Sequence, residues 1–418
     1  MLELGPRVVV AGTSSGVGKT TVATGLMAAL RGAGYRPAGA KVGPDFIDPG
    51  YHALACGRPP RNLDAWLCGP QSIGPLAARA AAGADLLVIE GVMGLFDGAS
   101  DGTVSSTADV ARLLEAPVLL VVDASAMSSS VAALVHGYAT FDPTVNLAGV
   151  ILNRVGSEGH EVLLREALAG TAIPVVGALH RDDGLQWRDR HLGLVPVAEE
   201  PERVEEALDR LAAAVAAQVD LDAVVRIARS VTRRGEADPL LPRPGPPSLV
   251  AVAAGAAFTF TYTDTVEALT AAGAEVVTFD PLTDAGLPEG TDGLIVGGGF
   301  PEVHAAALSA NEPLLTDLRR AAARGIPIWA ECGGLILMAQ EIDGRPMAGV
   351  VPGRARMTDR LTLGYRTATT ATETPLGPAG VTIRGHEFHY STVEPAGDAI
   401  RMSSRWGEKA EGFGGPAL

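Results

Sequence analysis

From Val8 to Arg31 the chain reads as an apolar β-branched run, a glycine-punctuated turn (Gly12-Thr13-Ser14-Ser15-Gly16-Val17-Gly18-Lys19-Thr20) and an alanine-rich stretch with helical spacing. That succession leaves little choice of fold. A strand feeding a glycine-rich turn and then a helix is the unit from which parallel sheets with crossover helices are built. The turn itself presents backbone N–H groups and a helix N-terminus to an anion. Lys19 supplies a point charge for the β- and γ-phosphates of a nucleoside triphosphate, and Thr20 offers a hydroxyl to Mg²⁺. Thr13, Gly16, Val17, Gly18 and Thr21 complete the expected ATP-binding loop.

The alternation continues. Leu86–Ile89, Val118–Val122, Val150–Leu152 and Leu192–Val195 are short apolar runs separated by helical segments, the pattern of buried parallel strands. The stretch 198–231 reads as helical, with apolar residues at Val204, Leu208, Leu211 and Val215. Residues 234–248 then carry Pro239, Pro242, Pro244, Pro246 and Pro247, a density that can neither continue a helix nor fill a central strand. At 418 residues the chain is too long for one ordinary core. The expected organisation is therefore an ATP-binding domain over 1–233, a proline-rich linker over 234–248 and a second α/β domain over 249–418. In the second domain, strands are expected at Leu249–Ala253, Val276–Phe279, Gly293–Val296 and Ile326–Ala330.

Charge and composition exclude several classes. A net charge of −15 with no basic stripe argues against nucleic-acid binding, which needs clustered Lys and Arg. No apolar run approaches the roughly 18 residues needed to span a bilayer, and Met1 to Val10 does not read as a signal peptide. Cys56, Cys68 and Cys332 have neither disulfide-framework nor zinc-site spacing, which fits a reducing cytoplasm. Cys56 and Cys68 read as buried apolar residues.

Acidic residues stand at strand ends, where open α/β sheets bind ligands. Lys41, Asp45 and Asp48 follow a second strand; Glu90 ends the run Leu86–Ile89, and a glycine-rich loop carries Asp97. A hard cation held among triphosphate oxygens needs one or two carboxylates, and Asp45 and Glu90 are the expected metal ligands with Thr20. Asp48 and Asp97 are expected to orient a second substrate or the metal's waters.

The second domain carries different chemistry. Ile326–Ala330 runs straight into Glu331-Cys332-Gly333-Gly334 and a helical stretch, the strand–turn–helix layout of a nucleophile elbow. Cys332 is the expected nucleophile, and a helix N-terminus favours its thiolate. A chain with both devices can make an activated phosphate ester in one domain and cleave an amide in the other, the minimal equipment of a glutamine-dependent amide synthetase.

The P-loop departs from the strict pattern at Thr13 and resembles dethiobiotin-synthetase-like ligases. Gly297-Gly298-Gly299-Phe300-Pro301-Glu302 resembles the oxyanion loop of class I glutamine amidotransferases, which have a flavodoxin-like fold; Gly299 and Gly333 would supply its N–H donors. Together with Lys41–Asp48, Glu90–Gly98, Asp123–Ser128 and Gly149–Arg154, these stretches resemble the cobyrinic or hydrogenobyrinic acid a,c-diamide synthase family across both domains. The resemblance implies amidation of two corrinoid acetate groups with ATP, Mg²⁺ and ammonia from L-glutamine, and related ligases suggest a homodimer. It also implies that Asn153 and Arg154 lie near the adenine.

In the family a histidine following a Glu-Gly-Phe motif partners the nucleophile. Here Glu411-Gly412-Phe413 is followed by only five residues, with an apolar run starting at Ala417 and Leu418. The expectation is that the natural C-terminus extends further, that neither His386 nor His389 is the base, and that the polypeptide as written uses free ammonia better than glutamine. A nickel-tetrapyrrole a,c-diamide synthase, a cobyric acid synthase and a partitioning-type P-loop switch ATPase are the rival readings.

Overall fold

Strands apolar on both faces need cover on both, and the central sheet of the first unit has it. The computed structural model describes residues 1–414 except 100–101, 183, 185–188, 191–192, 195, 200 and 405–406. Its backbone divides into two units, Met1–Pro239 and Leu240–Leu418; Ala417 and Leu418 lie outside the described residues. In the first unit β1 (Arg7–Gly12), β2 (Pro37–Val42), β3 (Arg61–Leu63), β4 (Leu86–Glu90), β5 (Val118–Asp123), β6 (Leu147–Val155) and β7 (Val175–His180) form one sheet. It is parallel throughout, in the order β3-β2-β4-β1-β5-β6-β7.

Alternate residues serve opposite cores, as the pleat requires. Val8, Val10, Leu86, Val88, Leu119 and Val121 pack on α1 (Lys19–Gly32) through Leu26, Met27 and Leu30, and on the C-terminal helices of the unit through Leu211, Val215 and Val224. Val9, Ala11, Leu87, Ile89, Val118 and Leu120 face Leu76, Val110, Val131 and Val135. The chain leaves β1 toward β2 on one side and later crosses to β5 on the other, so the loop after β1 emerges where the winding reverses. Ligands of open α/β sheets bind there.

Local details depart from the sequence expectation. The stretch 198–231 is interrupted between helices Pro201–Gln218 and Leu221–Arg229. Val219 bridges to Gly177, and Asp220 takes the N–H of Ala223 on its carboxylate at 2.8 Å, capping a new helix. The expected strand 192–195 falls partly outside the described residues, and Gly193–Leu194 pairs antiparallel with Asp189–Arg190. Arg234–Glu236 pairs with Leu2–Leu4 in the first unit. Cys68 is exposed at the end of the short helix Ala65–Cys68, whose Ala65 and Trp66 take the buried side; Cys56 is buried.

Arg7 is the largest wholly buried side chain of this unit. Its guanidinium donates to the carbonyls of Leu114 (2.6 Å), Gly5 (2.8 Å) and Thr232 (3.1 Å), tying β1 to the segment that follows the helix Leu221–Arg229. Burial, with help from Arg234, lowers its pKa to about 10. Arg7→Ala leaves those carbonyls without their donor and is expected to cost roughly 2–4 kcal/mol, read as a fall in the denaturation midpoint with ATP absent.

The second unit repeats the class with a smaller sheet. β8 (Ser248–Ala253), β9 (Ala274–Phe279), β10 (Gly293–Val296) and β11 (Ile328–Ala330) are parallel in the order β9-β8-β10-β11. After them β12 (Arg354–Thr370), β13 (Thr382–Glu394), β14 (Ile400–Ser404) and β15 (Gly407–Glu411) build an antiparallel sheet that the sequence reading does not anticipate.

Candidate active site

At the end of β1 the chain turns through Thr13–Gly18 and enters α1 at Lys19. Gly18 has φ 95°, and a Cβ there would lie 2.2 Å from the Asn153 amide nitrogen, so glycine is required for the loop to close. Asn153 uses that approach to donate to the Val17 carbonyl at 2.9 Å. Arg154 adopts φ 58° and pairs with Asp123. Thr21 is half-buried in the first turn of α1, and Ser14, Ser15 and Gly16 are exposed. Lys19 folds back over the loop, donating to the Ser14 carbonyl at 2.9 Å. Burial, then the like charge of Lys41, lowers its pKa to about 8.

Register places Lys41 of β2 beside Glu90 of β4, and α2 (Asp48–Cys56) lays Asp48 and His52, one helical turn apart, over them. Lys41 Nζ donates to Asp48 Oδ2 at 2.6 Å, to Glu90 Oε1 at 2.7 Å and to the Gly91 carbonyl at 3.2 Å. Thr20 Oγ1 lies 2.6 Å from Glu90 Oε1 and 3.3 Å from Asp48 Oδ2. His52 Nε2 closes the far side of Glu90 at 2.6 Å, and both of those side chains are fully buried. Helix α2 can come this close because position 39 is glycine: a Cβ there would meet the His52 Cβ at 2.8 Å.

Electrostatics follow from one ammonium shared by two carboxylates. Burial opposes charge on Glu90, but Lys41 and His52 outweigh it and hold the carboxyl well below its usual range. Burial likewise opposes charge on Lys41, and Asp48 and Glu90 hold it protonated. Asp48 is raised to about 7, first by burial and then, against Lys41, by the negative charges of Asp45 and Glu90.

The structure therefore groups Thr20, Lys41, Asp48, Glu90 and His52. Asp45 does a different job: its Oδ1 accepts the N–H groups of Ile47 (2.6 Å) and Asp48 (3.0 Å), shaping the entry to α2. Of the two aspartates it is Asp48, not Asp45, that shares the Lys41 ammonium with Glu90. His52 carries no signal in the strand pattern; its spacing of four from Asp48 on a helix is the clue. Asp97 accepts from Gly94 N–H at 2.9 Å, and Leu95 N–H donates to the Gly12 carbonyl at 2.9 Å, so the loop after β4 lies directly on the P-loop. Among the described residues no group of three or more His, Cys, Asp and Glu side chains forms a metal cage of its own. The oxygens of Thr20, Asp48 and Glu90 suit a hard cation that completes its shell with phosphate oxygens.

In the second unit Cys332 stands between β11 and the helix Gly333–Met338 with φ 53°. A left-handed backbone at a non-glycine residue costs of order 1–3 kcal/mol. The surroundings enforce it. Glu331 N–H donates to the Val296 carbonyl at 3.1 Å, and Gly334 N–H to the Glu331 carbonyl at 2.8 Å. A Cβ at Gly334 would fall 1.9 Å from the Val296 oxygen, so no other residue fits the turn. The N–H groups of Gly333 and Gly299 both face the thiol, and a Cβ at Gly298 would lie 3.4 Å from Sγ. Although solvent reaches Cys332, the protein packed around its sulfur, with Glu331 and Glu302 adding negative charge, pushes the pKa up to about 11. His386 lies edge-on to Tyr365 at 5.2 Å, and His389 contacts the Ser391 carbonyl at 2.9 Å and Glu387 at 3.6 Å.

Comparison with known proteins decides the family. Residues 8–195 match the CobQ/CobB/MinD/ParA nucleotide binding domain, and 249–415 match the CobB/CobQ-like glutamine amidotransferase domain. The hydrogenobyrinate a,c-diamide synthase of Streptomyces coelicolor is 52% identical over 98% of this chain and 92% of its own. The chain belongs to the hydrogenobyrinate and cobyrinate a,c-diamide synthase family. The Thermobifida fusca hydrogenobyrinate a,c-diamide synthase is 50% identical over 94% of this chain and 86% of its own. The cobyrinate a,c-diamide synthase of Syntrophotalea carbinolica is 44% identical over 98% and 92%. Matches of that length include the amidotransferase half, which a partitioning-type switch ATPase reading leaves unexplained. No described helix is long and apolar enough to cross a membrane.

Proposed function

We propose that the chain is an ATP-dependent, glutamine-hydrolysing ligase that converts the a and c carboxylates of hydrogenobyrinate to amides, with cobyrinate as the alternative acceptor. The observation that carries this reading is the full-length likeness to diamide synthases in a chain whose two strand-end turns hold a phosphate loop and a cysteine. A carboxylate does not react with ammonia at neutral pH because its carbon is poorly electrophilic. Attack of a carboxylate oxygen on the γ-phosphorus, with ADP leaving, gives an acyl phosphate. Ammonia then attacks the acyl carbon, a proton is lost and phosphate departs.

In this scheme Lys19 swings from the Ser14 carbonyl to the γ-phosphate and neutralises charge as it transfers. Thr20, Asp48 and Glu90 would hold Mg²⁺, which supplies charge neutralisation at the β- and γ-phosphates when bound. Lys41 and His52 keep Glu90 in place, and Asp97 orients the loop that meets the acceptor. In the second unit the Cys332 sulfur attacks the glutamine amide carbon, and the N–H groups of Gly299 and Gly333 receive the tetrahedral oxygen. Ammonia leaves, and water hydrolyses the glutamyl thioester. Incubation with ATP, glutamine and either hydrogenobyrinate or cobyrinate, followed by mass analysis, tests the reading: two carboxyl-to-amide changes on one acceptor support it, and no change on either sinks it.

The lowered pKa of Lys19 adds an expected result. Between about 8 and its ordinary 10.5 the folded chain binds fewer protons at Lys19 than the unfolded chain, so this group's contribution to nucleotide-free stability rises with pH across that window. Triphosphate binding holds Lys19 charged. Calorimetry of ATP binding at pH 8.5 in buffers of different ionisation enthalpy should show proton uptake, absent in Lys19→Met.

A further inference from the structure

An aromatic cluster adjoins the P-loop and takes no part in the carboxylate group. Phe96 sits on the loop after β4, and Tyr138 and Phe141, three residues apart, lie on the helix Ser130–Phe141. The Phe96 and Tyr138 rings stack, with centroids 5.7 Å apart and planes at 21°; Phe96 also meets Phe141 at 4.8 Å. The inner edges of Phe96 and Tyr138 rest on the core of the unit, but Phe141 is 74% exposed.

The cluster is anchored to the site. The Tyr138 hydroxyl donates to the Thr13 carbonyl at 2.5 Å. On the other side of Phe96, Asp97 fixes Gly94, where a Cβ would come within 3.1 Å of that same carbonyl. The aromatic surface thus begins at the P-loop, passes Asp97 and ends at an exposed ring.

We propose that Phe96, Tyr138 and Phe141 form a ledge that takes one face of the substrate's conjugated macrocycle while its acetate arm reaches the γ-phosphate. The inference rests on the amidation reading above and extends it to the place where the acceptor is held. Its chemistry selects the occupant. A corrinoid is broad and apolar on its faces and carries its carboxylates at the rim. Lys19 suits phosphate, and Thr20, Asp48 and Glu90 suit a hard cation; none of them would give such a face apolar cover, whereas stacked aromatic rings offer it contact area at little conformational cost. The hydrogen bond from Tyr138 to Thr13 fixes the ledge relative to the loop that holds the phosphates, so a ring seated there has a defined reach.

The test uses the full chain with ammonium chloride as nitrogen source and saturating ATP. Phe141→Ser, at a position where the ring packs little against the core, should raise the KM for hydrogenobyrinate and its Kd in a titration without ATP by about tenfold, with the KM for ATP unchanged. Phe141→Trp should stay within about twofold of the parent. An unchanged corrinoid Kd in Phe141→Ser overturns the ledge. So does an unchanged Kd accompanied by a shift of sedimentation toward a smaller species, which would assign the face to a second copy of the chain. If the unsubstituted chain amidates no corrinoid, the functional reading falls and takes the ledge with it; if it does and only the ledge variants are silent, the ledge alone falls.

Discussion

Cys332→Ser should abolish glutamine-dependent amide synthesis and leave synthesis from ammonium salts close to the parent rate. The expected loss with glutamine is roughly a thousandfold or more, the scale seen when a nucleophile that acts as part of a unit is removed. Serine fits the turn, since Cys332 already holds φ 53° with glycines on its C-terminal side relieving the crowding; the change is therefore chemical and not structural. The hydroxyl is a far weaker nucleophile than sulfur, and no adjacent charge lowers its pKa: the neighbours that matter, Glu331 and Glu302, already push the thiol up. The phosphorylating half contains no cysteine chemistry, so ATP and ammonium should still turn over. Product formation measured against each nitrogen source separates the cases, and loss of both activities would mean that the two half-reactions are not separable.

How much of this site is legible in the sequence depends on whether its signals are local. The P-loop and the cysteine turn are each encoded in under ten consecutive residues, because their geometry arises from a strand, glycines that permit close approach and a helix start. Glu90 is legible for a similar reason: a carboxylate ending an apolar run sits at the carboxyl end of a buried parallel strand, where ligands bind. The choice between Asp45 and Asp48 is not. Both follow the same strand, and only the helix that starts at Asp48 decides that one caps a loop while the other joins Lys41. His52 is hidden because its partner, 38 residues away in sequence, is brought near only by parallel register and by the absent side chain at Gly39. The antiparallel sheet from Arg354 onward escapes notice for another reason. Its strands are half-exposed and mix charged with apolar residues, as in Arg354–Met357 and Gly407–Glu411, without the continuous apolar runs that mark buried parallel strands.

Lys41→Met should abolish amidation from either nitrogen source, and a second substitution separates the causes. Lys41 and Glu90 are almost wholly out of solvent, with Lys41 3% exposed and Glu90 0%. Removing one partner of a buried pair leaves an uncompensated charge and costs about 3–5 kcal/mol, whereas replacing both with neutral groups of similar size is often close to neutral. Lys41→Met alone should therefore lower the denaturation midpoint, and Glu90, stripped of the charge that holds its carboxyl low, should take up a proton. In Lys41→Met with Glu90→Gln much of that destabilisation should disappear, since the fully buried anion at position 90 is gone and the amide oxygen can accept from Thr20 while its NH2 group faces His52 Nε2; Asp48 loses its ammonium in both variants. Catalysis should not return with it. Thr20 and Asp48 would keep their hydroxyl and carboxylate, but the site would have lost the carboxylate suited to a cation and the ammonium that organises Asp48 beside it. Recovery of stability without recovery of turnover assigns the buried pair to the chemistry; recovery of both would reduce it to a structural support between two interior strands.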